Sequence, residues 1–141
     1  MSKVAIVYWS GTGNTEAMAN AVLEGVKAAG GEGTLLTPPE FDASMIEAFD
    51  AVAFGCPAMG AEVLEEDEFE PMFTSCEAAL NGKKIALFGS YGWGDGEWMR
   101  NWEERCIGDG AVMACDFVIC NEAPDDDTIA ECEKLGAALV G

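Results

Sequence analysis

The sequence predicts a doubly wound α/β domain in which five parallel strands form one sheet covered by helices on both faces. Three observations carry this. Strand-like runs and helix-period segments alternate along all 141 residues. The stretches between successive strand candidates suit helical crossovers, which join parallel strands. The best strand runs are continuously apolar, as in strands buried on both sides.

The first strand, VAIVYW at residues 4–9 after Lys3, is β-branched and aromatic almost throughout. Beyond a polar loop, Met18, Val22 and Val26 fall four apart with Ala19, Leu23 and Ala29 beside them. Gly30 and Gly31 supply a stop, so an amphipathic helix is predicted. Residues 33–37 form a short second strand ended by Pro38 and Pro39, and residues 44–49 a short helix. The third strand is 51–55. Phe69, Met72, Phe73, Cys76 and Leu80 stand at helical spacing before Asn81 and Gly82, and KIALFG at 84–89 is the fourth strand. Residues 97–107 form the next helix, and the last strand lies within 112–120. Ile129, Cys132, Leu135 and Leu139 mark the face of a terminal helix. With no linker or repeat, one domain over residues 1–141 is expected.

Seven Lys and Arg against 26 Asp and Glu give a net charge of −19, which excludes nucleic acid and anionic membrane surfaces as partners. The excess serves either solubility or steering toward basic proteins. Six cysteines without a C-x-x-C, and no histidine, leave zinc and thioredoxin-like chemistry without ligands. They read as free thiols packed in a reducing compartment. The apolar run at 4–9 is too short for a signal or a membrane span, so a cytoplasmic location is expected.

Ligands of such sheets bind beyond the carboxyl ends of the strands, which directs attention to three loops. Ser10, Gly11, Thr12, Gly13, Asn14 and Thr15 join a buried strand to a helix start. There, amides and hydroxyls converge at the positive end of the helix dipole and suit a phosphate. No Lys or Arg lies between Lys3 and Lys27, so the donors are neutral, and neither a Walker A sequence nor G-x-G-x-x-G is present. Ser90, Tyr91, Gly92, Trp93 and Gly94 set aromatics among glycines, where they should lie outside the core and can stack on a planar ring. Ala58, Met59, Gly60, Ala61 and Glu62 add a thioether for a second ring face, a glycine that lets a peptide reorient, and a carboxylate able to accept from an imide N–H.

VYWSGTGNTE at 7–16, GCPAMGAEVLEEDEFEP at 55–71 and KKIALFGSYGWGDGEWM at 83–99 resemble the short-chain flavodoxins of anaerobic bacteria, and the resemblance spans essentially the whole chain. It implies the strand order 2-1-3-4-5, a fifth strand without the extra loop that interrupts it in long-chain members, and a non-covalent FMN. It places the phosphate on Ser10 to Thr15, the isoalloxazine between Met59 and Trp93, N3–H on Glu62, and Ser90 near the ribityl chain. Loop amides of Tyr91 to Gly94 would approach the pyrimidine end. In this family the peptide after the glycine matching Gly60 turns over on reduction, so that its carbonyl accepts from N5–H of the semiquinone. Ala61 stands where relatives often carry Asp, Ser, Asn or Gly.

The implied function is a low-potential one-electron carrier, cycling mainly between semiquinone and hydroquinone, with no catalytic residue of its own. Expected partners are basic-faced reductases and iron–sulfur oxidoreductases, docking on the acidic run Glu62, Glu65, Glu66, Asp67, Glu68 and Glu70; a monomer is expected. The alternative on the same fold is an FMN-dependent quinone or chromate reductase. A phospho-receiver domain would need acids after the first strand, where Trp9 and Ser10 stand.

Overall fold

The computed structural model describes residues 2–60, 63–92 and 94–141. Its strands are β1 (Lys3–Tyr8), β2 (Glu32–Leu36), β3 (Ala51–Gly55), β4 (Lys84–Tyr91), β5 (Val112–Met113) and β6 (Val118–Asn121). Its helices are α1 (Asn14–Ala28), α2 (Phe69–Cys76), α3 (Glu97–Gly108) and α4 (Asp126–Ala138). The sheet runs β2-β1-β3-β4-β5, with β6 also paired to β4, and all these pairings are parallel.

The fifth position of the sheet is thus filled by two short strands in line. β5 lies opposite Lys84 and Ile85, and β6 opposite Phe88 to Tyr91. Residues 114–117 part from the ladder, although the Ala114 amide still donates to the Ile85 carbonyl at 2.9 Å. Asp116, a poor strand residue, falls in this gap.

Strand side chains alternate between two cores. Ala5, Val7, Val52, Phe54, Ile85 and Leu87 face α2 and α3, whereas Val4, Ile6, Ala51, Ala53, Ala86 and Phe88 face α1 and α4. Both faces are buried, which explains the continuously apolar strand runs. On the first face Phe54, Phe73, Phe69 and Trp102 meet edge to face, with ring centroids 5.1–5.6 Å apart. On the second, α1 and α4 touch through glycine: a side-chain carbon on Gly25 would fall 1.9 Å from the Glu133 carbonyl oxygen.

The short helix expected at 44–49 is a 3-10 helix, Ala43–Ala48, capped by the Asp42 carboxylate, which accepts from the Ser44 amide at 2.9 Å. α2 gives way to a 3-10 turn, Glu77–Ala79, before β4. All six cysteines are free thiols, five of them buried; burial pushes Cys106 and Cys132 up to about 12. No helix among the described residues is long and apolar enough to cross a membrane. Among those residues no group of three or more His, Cys, Asp or Glu could hold a metal.

Candidate functional site

The carboxyl ends of β1, β3, β4 and β6 share one edge of the sheet, and the loops leaving them enclose a cavity of about 500 Å³. Of the residues expected at the site, Gly11, Thr12, Asn14, Ala58, Met59, Ser90, Tyr91 and Gly92 line it. Trp9, Pro57, Glu122 and Ala123 line it as well. Ser10 and Gly13 border an adjoining polar cavity of about 460 Å³, with Tyr8, Glu16 and Glu68. Thr15, Gly60 and Gly94 line neither. Ala61, Glu62 and Trp93 lie outside the described residues.

The first loop is closed by Ser10, whose hydroxyl accepts from the Gly13 amide at 3.1 Å and the Glu16 amide at 3.3 Å. Gly13, with φ of 95°, turns the chain into α1 and presents no capping side chain. The amides of this first helical turn have no partner within the helix. Beneath them Thr15 is 1% exposed, and its hydroxyl finds no partner among the described residues. A buried hydroxyl left unpaired costs about 1–3 kcal/mol, so its place at a helix N-terminus marks a missing acceptor. Among the described residues no Lys or Arg lines either cavity. An acceptor group held by amides and hydroxyls, without a cation, is what a phosphate monoester supplies.

At the second loop, the Ala58 amide donates to the Ser90 carbonyl at 3.0 Å, extending the pairing of β3 with β4. Met59 and Val63 exchange both backbone bonds, at 2.8 and 3.1 Å, as an antiparallel bridge. Gly60, next after Met59, has φ of 48° and open space around its Cα. Only glycine takes this conformation without strain.

The third loop starts later than the sequence suggests. Ser90 and Tyr91 belong to β4, where Ser90 is 4% exposed and donates to the Glu122 carbonyl at 2.7 Å. Tyr91 does not project free of the core as expected: its ring packs 5.5 Å from that of Trp98, tilted by 54°. Asp95 is tied to Arg100 at 3.0 Å beyond Gly94.

Sequence reasoning missed a fourth loop, after β6, where Glu122 and Ala123 form part of the cavity wall. The carboxyl-end rule applied equally to the end of β6, but residues 121–125 carry no glycine to draw attention.

The acidic run is not one uniform docking face. Glu65 is 6% exposed, and its carboxylate accepts from the Asp67, Glu68 and Phe69 amides, each at 2.8 Å, capping α2. Burial would push this carboxyl up, but the amides, Phe69 foremost, outweigh it and hold it below its ordinary range. Glu70 is spent on Arg105 at 2.7 Å. Glu66, Asp67 and Glu68 are exposed.

The sequence profile of the flavodoxin family matches residues 6–136. The chain belongs to the flavodoxin family. It is 47% identical over 135 residues to a flavodoxin of Megasphaera elsdenii, covering 96% of each chain. It is 46% identical to one of Clostridium beijerinckii, covering 95% of this chain and 96% of that one. The solution structure of two-electron reduced Megasphaera elsdenii flavodoxin superposes with a TM-score of 0.89 at 48% identity, over 96% of this chain and 97% of that one. The chain uses FMN as its cofactor and works as an electron carrier rather than an enzyme, a role that implies redox partners. The relatives do not favour the quinone or chromate reductase alternative.

Proposed function

We propose that residues 1–141 form one FMN-binding domain that shuttles single electrons at low potential between basic-faced redox proteins, as a monomer in the cytoplasm. The observation that carries this reading is the buried, unpartnered Thr15 hydroxyl under the first turn of α1. Ser10, Gly11, Thr12, Gly13, Asn14 and Thr15 would hold the phosphate. The cavity from there to residues 57–59, 90–92 and 122–123 would take the ribityl chain and ring. Met59 and Trp93 would flank the ring, Glu62 would accept from its N3–H, and Ala58, Gly60 and Ala61 would shape the turn facing N5. Ser90 would support the ribityl end, and the Tyr91, Gly92 and Gly94 amides would approach the pyrimidine end.

Bound FMN supplies one-electron chemistry, and the protein sets its energetics. Glu66 and Asp67, exposed beside the second loop, would steer basic partners.

Titration of the apoprotein with FMN and with riboflavin, in the wild type and in Thr15→Val, tests the assignment. Losing a hydrogen bond to a charged acceptor costs about 1.5–3 kcal/mol, so FMN affinity should fall roughly 10- to 100-fold while riboflavin affinity stays put. Equal loss for both flavins, or none for FMN, would refute the role of Thr15.

A further inference from the structure

Trp9 stands between β1 and the phosphate loop, its amide donating to the Gly55 carbonyl at 3.0 Å. Its indole lies against Gly11, so that a side-chain carbon there would fall 3.0 Å from the ring edge. The ring forms part of the wall of both cavities. Its Nε1–H donates to the Glu68 carboxylate at 3.1 Å, a bond between residues 59 apart in sequence. Glu68 occupies the N-cap position of α2, where a short polar side chain would ordinarily turn inward and bind helix amides. Glu65 performs that task instead, binding the Glu68 amide itself at 2.8 Å, and the Glu68 side chain is left to reach Trp9.

We propose that Glu68 is a positioning residue for flavin binding: by accepting from Trp9 it holds the indole against Gly11 and fixes the shape of the loop that takes the phosphate. The proposal rests on the assignment of the phosphate to residues 10–15. It takes Glu68 out of the pool of carboxylates that act only through charge and couples the segment after the Gly60 turn to the phosphate loop.

Glu68→Gln keeps an acceptor for the indole and removes the charge, whereas Glu68→Ala removes both. FMN and riboflavin are titrated into the wild type and both variants, and the Trp9 indole N–H resonance is followed in the apoproteins. An exposed hydrogen bond of this kind converts to about a three- to tenfold effect. Glu68→Ala should weaken FMN by that factor, leave riboflavin within about twofold and shift the indole resonance, and Glu68→Gln should restore FMN binding. An unchanged Glu68→Ala, a Glu68→Gln as weak as Glu68→Ala, or parallel losses for both flavins would overturn the proposal. A wild type that takes up neither flavin would overturn the cofactor assignment instead, and an indole resonance unmoved in Glu68→Ala would still refute the latch.

Discussion

The Ser90 hydroxyl donates to the carbonyl oxygen of Glu122 at 2.7 Å, while the Glu122 amide donates to the Tyr91 carbonyl at 2.7 Å. Two neighbouring residues of β4 thus hold the turn after β6 against the cavity. Glu122 is the one non-glycine residue with positive φ, 58°, among those described.

That conformation costs an ordinary residue about 1 kcal/mol, which the two hydrogen bonds offset. Glu122→Gly should raise stability by about 0.5–1 kcal/mol, and Ser90→Ala should lower it by about 1 kcal/mol. Urea unfolding of both apoproteins checks the signs; destabilisation by Glu122→Gly would show that the turn is held by its side chain instead.

Glu65 supports α2 through three amides. Glu65→Ala should cost about 1–2 kcal/mol near neutral pH. Because the folded carboxyl titrates below its ordinary range, its stabilisation is full above that range and fades as pH falls through the folded value. The gap between wild type and variant in urea midpoint should therefore narrow in acid and stay constant from weakly acidic to neutral pH.

Asp109, at the end of α3, behaves oppositely. Burial first, then the hydrogen bond and charge of Glu77, push its carboxyl up to about 6, with Arg105 opposing. The unfolded carboxyl ionises more readily, so folding is penalised progressively as pH rises from the ordinary carboxylate range through about 6. One Asp109 oxygen is buried with no N–H donor among the described residues. Asp109→Asn should stabilise the protein at neutral pH by on the order of 1 kcal/mol, allowing for solvent screening, and have little effect in acid.

Much of this architecture is legible because its signals are local. Residues 51–55 and the core of β4 are apolar runs with both faces buried, and Met18, Val22 and Val26 mark α1 by spacing alone. The split of the fifth strand is not legible, since residues 112–120 read as one β-rich stretch and only tertiary pairing decides where it leaves the ladder. Glu65 is hidden for a different reason. Within a run of acids, a carboxylate bound to amides looks like its solvated neighbours until the chain reversal before α2 is known. Ser90 looks like loop because of the glycines around it, yet its backbone continues β4 and its hydroxyl turns to Glu122.

In the proposed site, Gly60 precedes the peptide that would face the flavin. Its φ of 48° and the open space around its Cα mean that a side chain there meets backbone strain and no clash. Gly60→Val should fold, at a cost of about 1–2 kcal/mol. By hindering reorientation of the following peptide it should lower the first one-electron potential. Spectroelectrochemistry of the variant checks this, and an unchanged first potential would remove the turn from the redox mechanism.

The central claim is that a flavin held by neutral donors in an anionic protein takes its electrons singly. The net charge is −19, Glu122 lines the cavity proposed for the flavin, Glu16 and Glu68 line its neighbour, and among the described residues neither is lined by Lys or Arg. Adding the second electron places negative charge in that field, and each 1.4 kcal/mol or so of repulsion lowers the potential by about 59 mV. The direct test is a spectroelectrochemical titration of the FMN-loaded wild type. A blue one-electron-reduced form should accumulate, with the second step far more negative than that of free FMN; a single two-electron step without that form would contradict the account.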